Sequence, residues 1–196
     1  IGNGVRKTTT GGETVLYRHE KTFFNPTIFA ALIPSDTDPD ALKQKLLAWN
    51  ALQYERVGLN LRPELVALKD TNGSAENFAN LAEIIAKESE FNLILISDKH
   101  EVLEEGVKTC GFKNPLLYCA THENSEKYGQ LALDCNLPLA IRADTIDELI
   151  TLSDKLHEMG VKDLVLDSGS RELKQALEDQ VQLRRAALQD GNRSLG

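Results

Sequence analysis

The chain is short of the residues that build metal and redox centres. Its 196 residues contain three cysteines, Cys110, Cys119 and Cys135, and no two of them have CxxC spacing. Their positions fall in three separate expected elements, which argues against a converging thiolate cage for zinc or an iron–sulfur cluster. They read instead as reduced, packed thiols of a cytoplasmic protein. No apolar run approaches the roughly 20 residues that a membrane-spanning helix needs, so no membrane role is expected. Positive charge is also scarce: 22 Lys and Arg face 30 Asp and Glu, for a net charge of −8. Apart from Arg184-Arg185 the basic residues are scattered, which argues against nucleic acid as a partner. A phosphate-cradling P-loop, a dinucleotide fingerprint, a nucleophile elbow, an HExxH helix and a DxHxxG cobalamin motif are all missing.

What the chain does contain is a rhythm. Between Ile28 and Leu188 a short apolar strand, a polar turn and an amphipathic helix recur six times. The expected strands are Ile28–Ile33, Leu65–Leu68, Leu93–Ile96, Leu116–Ala120, Leu139–Ile141 and Leu164–Leu166. Their unbroken apolarity is that of parallel strands buried on both faces. Asp38 followed by Pro39 predicts the start of the first helix, with Leu42, Leu46 and Trp49 facing inward. Ser74 caps the second, which carries Phe78, Leu81 and Ile85. The third ends near Cys110-Gly111, and the fourth ends at Asn136 before Pro138. Thr145 and Glu148 form a capping box for the fifth, which stacks Leu149, Leu152, Leu156 and Met159 and stops at Gly160. The sixth, after Ser170, is expected to face inward through Leu173, Leu177, Val181 and Leu188.

Right-handed crossovers leave two architectures, an open doubly wound sheet or an interrupted eight-stranded barrel. The first strand runs into Ile33-Pro34-Ser35-Asp36 without a glycine-rich phosphate loop, which favours the barrel. The expected fold is therefore α/β, a partial TIM (β/α)8-type barrel of about six units. Residues 21–196 form this incomplete barrel, preceded by an N-terminal β-hairpin lid over residues 1–20. The hairpin arms are Val5–Thr10 and Glu13–His19, joined at Gly11-Gly12. Six units are two short of closure, so the expectation is a piece of a longer protein.

In a barrel, functional groups collect at the carboxyl ends of the strands. The candidates there are Asp70, Asp98, His122, Arg142 and Asp167, with Ser168, Gly169 and Ser170 as a candidate anion site before a helix. Each has a plainer reading as a helix cap, a surface loop residue or an ordinary turn. Arg142 ends an apolar strand, so its guanidinium needs a partner, with Asp144 or Asp167 in reach, or must face an opening. His157, on an outer helix, is expected to face solvent. The residues alone define no reaction.

The run Thr9-Thr10-Gly11-Gly12-Glu13-Thr14-Val15-Leu16-Tyr17-Arg18-His19, continuing to Asn25-Pro26, resembles the start of the central barrel in the large (gamma) subunit of the corrinoid iron–sulfur protein. Its archaeal counterpart is the gamma subunit of the acetyl-CoA decarbonylase/synthase complex. Tyr54-Glu55-Arg56-Val57-Gly58, Leu137-Pro138-Leu139 and Asn192-Arg193-Ser194-Leu195-Gly196 are weaker likenesses. The resemblance implies a three-part parent: a 4Fe–4S domain, a central barrel and a cobamide-binding domain. Such a parent carries a methyl group from a methyl-tetrahydropterin to acetyl-CoA synthase. It implies as partners a small (delta/beta-type) corrinoid protein subunit in a heterodimer, acetyl-CoA synthase and a pterin methyltransferase. The 4Fe–4S cluster and the cobamide are implied for flanking domains, with no cofactor, cluster ligand or cobalt ligand placed on these residues. This segment would then be a scaffold and docking barrel. Two enzyme readings compete with it, a barrel that itself binds the pterin methyl donor and a phosphate-binding aldolase- or isomerase-type barrel.

Overall fold

A computed structural model describes residues 1–3, 7–11, 25, 27–189 and 191–195. The chain divides into two compact units, one of Ile1–Thr8, Ile28–Tyr118 and Cys135–Leu137, the other of Thr9–Thr27, Cys119–Asp134 and Pro138–Gly196.

The first unit is built on parallel strands. β1 (Ala30–Pro34) is followed by α1 (Pro39–Ala51), a short pair β2 (Tyr54–Arg56) and β3 (Leu59–Leu61), then β4 (Leu65–Lys69). α2 (Ala75–Glu88), β5 (Asn92–Ile96), α3 (His100–Cys110) and β6 (Leu116–Ala120) complete it. The strand order is β1-β4-β5-β6, with Ala30 opposite Leu65, Leu65 opposite Asn92 and Ile94 opposite Leu116. Leu65, Val66, Ala67 and Leu68 are all buried, as an apolar run covered on both faces requires. Both expected caps form: Asp38 Oδ2 accepts from the N–H groups of Asp40 and Ala41, and Ser74 Oγ accepts from Asn77 N–H. Phe78, Leu81 and Ile85 are buried on α2. Gly106 lets α3 close on that face, because a Cβ there would stand 2.8 Å from Cε1 of Phe78.

In the second unit α4 (Ser125–Cys135) precedes β7 (Leu139–Arg142), α5 (Ile146–Met159), β8 (Leu164–Asp167) and α6 (Leu173–Leu188). β7 and β8 run parallel, with Leu139 opposite Leu164 and Arg142 opposite Asp167. α5 is capped by Thr145 Oγ1 and ends on Gly160 at φ +101°, where the missing Cβ permits the left-handed turn. Leu149, Leu152 and Leu156 are buried, and Gly129 of α4 sits where a Cβ would be 2.7 Å from Leu156. The closing Asn192–Leu195 run docks on α5. Ser194 Oγ donates to Asp154 at 2.6 Å, and Ser153 Oγ donates to the Ser194 carbonyl at 2.8 Å.

Several expectations need correcting. The expected strand Ile28–Ile33 is not fully buried: β1 begins at Ala30, and Phe29 just before it and Leu32 within it are exposed. α6 does not bury its expected stripe. Leu173 and Leu177 are 86% and 65% exposed, whereas Asp179, Leu183 and Ala186 face inward. Cys110 and Cys119 are packed thiols, but Cys135 is exposed. Most of the expected hairpin over residues 1–20 lies outside the described residues. Of its first arm, Thr8 exchanges backbone hydrogen bonds with Ile1. A separate hairpin, unforeseen from the sequence, forms at β2–β3. Among the described residues, no helix is long and apolar enough to cross a membrane.

Phe78 has no exposed surface and closes the α2–α3 contact. Truncation in Phe78→Ala should cost about 3–5 kcal/mol, read as a lowered urea midpoint with an unchanged slope.

Candidate functional site

The parallel register sets strand ends side by side, so the turns that follow meet laterally. In the first unit, Lys69 lies opposite Ile96, which brings Asp70 beside Ser97. Asp70 Oδ2 accepts from Ser97 Oγ at 2.8 Å, and its Oδ1 accepts from Gly73 N–H at 2.7 Å. Ser97 Oγ in turn accepts from Lys99 N–H at 3.1 Å. On the other side, buried Ser35 accepts from Thr71 N–H at 3.0 Å and donates to Asn72 Oδ1 at 3.4 Å. Both Asp70 oxygens are thus committed to holding the turns after β4 and β5. Asp98, next to this network, is exposed and stands outside it, and the cap position of α3 is Lys99. Lys69, the one strand-end lysine considered for Schiff-base chemistry, is also exposed.

In the second unit, Thr121 N–H donates to Asn124 Oδ1 at 2.6 Å and closes the turn before α4. His122 in this turn is exposed, as is His157 on α5. Asp167 is held by Arg171, whose Nη1 and Nη2 donate to Oδ1 at 3.0 Å and Oδ2 at 2.9 Å. Asp167 Oδ1 also accepts from Gly169 N–H at 2.8 Å. One of the two partners expected for Arg142, Asp167, therefore pairs with another arginine. Arg142 is exposed and makes no ion pair with a described residue; it lies over Gly169, where a Cβ would be 3.4 Å from its Nε.

The serines of Ser168-Gly169-Ser170 meet a residue that the sequence reading missed. Asp179 of α6 is 5% exposed, and its Oδ2 accepts from Ser170 Oγ at 2.5 Å. Its Oδ1 accepts from Gln175 Nε2 at 2.9 Å. Hydrogen bonds from Ser170, Gln175 and Ser168 hold this carboxyl below the ordinary aspartate range. The group borders a cleft of about 360 Å³ lined also by Asp144, Thr145 and Asp147. The Ser170 hydroxyl of the candidate anion loop thus donates to a carboxylate, and the cleft is lined by three acids and no base. Such a surface opposes a phosphate. The signal for Asp179 was its spacing with Leu183 and Ala186, a stripe less apolar than its rival through Leu173, Leu177 and Val181.

Cys110 is buried, and burial pushes its thiol up to about 12. Among the described residues, no three His, Cys, Asp or Glu side chains converge on a metal-sized site. This is an α/β protein whose parallel strands end in turns cross-braced by hydrogen bonds, with no assembled nucleophile and base among the described residues.

Sequence comparison carries the assignment further. The chain belongs to the family described as CO dehydrogenase/acetyl-CoA synthase delta subunit, which matches residues 1–196. It is 35% identical to the corrinoid/iron-sulfur protein large subunit of Moorella thermoacetica over 196 residues, covering 100% of this chain and 44% of that protein. It is 34% identical to acetyl-CoA decarbonylase/synthase complex subunit gamma 2 of Methanosarcina mazei over 193 residues, 96% of this chain and 41% of the relative. The gamma subunit of that complex in Methanothermobacter thermautotrophicus is 31% identical over 98% of this chain and 43% of its own length. The family description names a delta subunit, whereas these relatives are named large and gamma subunits. The chain spans less than half the length of these relatives.

Because the folded pKa of Asp179 is depressed, its contribution to stability is complete above the ordinary aspartate value near 4 and fades as pH falls through the lower folded value. Asp179→Asn should therefore lower Tm at pH 7. The deficit relative to the parent should shrink as the pH is taken from 5 towards 2, as followed by circular dichroism.

Proposed function

We propose that this chain is the scaffold and docking barrel of a corrinoid iron–sulfur methyl carrier, the part that holds other domains and a partner subunit in place. On this reading the two parallel units belong to an incomplete TIM-type barrel. The cobamide and the 4Fe–4S cluster reside elsewhere in the whole cytoplasmic protein. The carrier moves a methyl group from a methyl-tetrahydropterin to acetyl-CoA synthase, with a small corrinoid subunit as the immediate partner in a heterodimer. One observation carries the reading: Asp70, Asp167 and Asp179 are all spent on bracing turns and neighbouring side chains. Units with braced turns and occupied carboxylates suit a hub about which redox and cobalt domains move. The names of the relatives support the setting, a corrinoid iron–sulfur protein and a multi-subunit acetyl-CoA complex.

The second reading, a barrel that binds the pterin itself, draws on Arg142. An exposed guanidinium beside Gly169, without an ion pair among the described residues, is available to a ligand. The phosphate-binding reading is disfavoured by the carboxylate behind Ser168 and Ser170.

Methyl transfer by the full-length protein separates the two. A scaffold predicts that Asp98→Ala and Arg142→Ala leave kcat and KM for the methyl-tetrahydropterin within about twofold of the parent. It also predicts that cross-linking of the purified assembly joins this segment to the small subunit. A tenfold or larger rise in KM in Arg142→Ala, or a segment that cross-links to no other subunit, would reject the scaffold in favour of the pterin site.

A further inference from the structure

The turn after β4 places an asparagine directly before a glycine. Asn-Gly occurs twice in the chain, at Asn3-Gly4 and at Asn72-Gly73, and Gly4 lies outside the described residues. Such a pair is prone to lose ammonia, because the glycine nitrogen can close on the asparagine carboxamide with no side chain in its way. The turn itself asks for glycine at 73. Its φ is +69°, in the left-handed region, and the Lys99 side chain lies across the space that a Cβ would take. The missing Cβ that permits the turn therefore also bares the nitrogen.

The hydrogen bonds of the turn oppose closure. Gly73 N–H donates to Asp70 Oδ1 at 2.7 Å, so a carboxylate engages the nitrogen that would attack. Loss of its proton would leave an anionic nitrogen against that carboxylate, which like charge disfavours. The carboxamide is held as well: Asn72 Oδ1 accepts from Ser74 N–H at 3.0 Å and from Ser35 Oγ at 3.4 Å. These restraints are themselves anchored. Asp70 Oδ2 accepts from Ser97 Oγ at 2.8 Å, and buried Ser35 accepts from Thr71 N–H at 3.0 Å. For Asn72 Cγ to reach the Gly73 nitrogen, both sets of bonds must break. Asn72 is exposed, so water has access to whatever forms there.

We propose that Asn72-Gly73 is a latent deamidation site, kept as asparagine in the folded protein by Asp70 and Ser35 and converted when the turn opens. In the reaction the Gly73 nitrogen forms a bond to Asn72 Cγ and the Cγ–Nδ2 bond breaks. Nδ2 leaves as ammonia, carrying the proton given up by the glycine amide. Water then opens the cyclic imide at one of its two carbonyl carbons. Cleavage between the Gly73 nitrogen and Cγ gives aspartate; cleavage between that nitrogen and the main-chain carbonyl carbon gives isoaspartate. Either product sets a second carboxylate in the turn that holds Asp70. Isoaspartate also lengthens the backbone by one methylene, which moves Gly73 N–H off Asp70 and Ser74 off Asn72. The turn then cannot close as before, so the change marks a molecule whose strand end has opened. The chemistry needs only water and holds whichever function the barrel serves.

The test follows residue 72 in the full-length protein aged at neutral pH. Trypsin releases Asp70–Lys87, which also contains Asn77 before Phe78 and Asn80 before Leu81 as internal references. Fragmentation mass spectrometry locates the lost amide, and methylation by an isoaspartyl methyltransferase reports isoaspartate. The folded parent should convert Asn72 about tenfold or more slowly than the free Asp70–Lys87 peptide, since a hydrogen bond to a charged acceptor must break first. Asp70→Ala should raise the rate in the protein about tenfold, and Ser35→Ala less, with the circular dichroism spectrum unchanged. Adding Gly73→Ala to Asp70→Ala should suppress the conversion again. A parent that converts Asn72 at the peptide's rate would overturn the proposal, whether or not either variant folds. A slow parent whose rate neither Asp70→Ala nor Ser35→Ala raises would overturn it too. Equal acceleration at Asn72, Asn77 and Asn80 would point to general unfolding and reject Asp70 and Ser35 as the restraint.

Discussion

Parallel pairing of buried strands is the constraint on which the described structure depends. A strand such as Leu65–Leu68, covered on both faces, cannot end in loose polar loops without leaving donors and acceptors unmet beside the core. The register of β4 on β5 sets Asp70 next to Ser97, and the turn after β1 meets Thr71 and Asn72 through Ser35. In the second unit β7 and β8 set Arg142 opposite Asp167, but Asp167 turns to Arg171 and Gly169. Satisfying the turns consumes the carboxylates that a catalytic ring would need free.

The Ser168-Gly169-Ser170 loop shows the same economy. A serine pair before a helix has the composition of an anion site, and a helix dipole would favour one. Here the Ser170 hydroxyl reaches a carboxylate from the helix itself, Asp179, which Gln175 holds from its other side. Its depressed pKa follows from those donors. The arrangement ties loop to helix and presents negative charge to the cleft. Stiffness gained in this way suits a body that positions other parts, consistent with relatives named as subunits of a multi-component assembly.

Much of the fold was legible because its signals are local. Asp38, Ser74 and Thr145 cap the helices expected of them, since a side-chain oxygen two or three residues before a free N–H needs no tertiary help. β6 spans Leu116–Ala120 as its apolar run predicts, and Gly160 ends α5. The candidate site was legible only in part. Asp70 and Ser97 are recognisable as strand-end residues, but their contact exists only once the register is known. Asp179 was hidden because the stripe containing it is less apolar than the one through Leu173 and Leu177. The β2–β3 ribbon escaped notice because Val57 is a poor residue for the turn it occupies.

The amino-acid sequence by itself determined the alternation of strand and helix, the caps, the stops and the parallel class, all matters of spacing within one element. Tertiary structure decided which face of α6 turns inward, that Phe29 and Leu32 lie in solvent, and which carboxylates are occupied. Periodicity announces that a helix has an apolar side, or a strand two, but it does not say whether a neighbour comes to cover them. That choice belongs to packing: on α6 it turned Leu183 and Ala186 inward beside Asp179, whose carboxylate is met by Ser170 and Gln175, and left Leu173 and Leu177 in solvent.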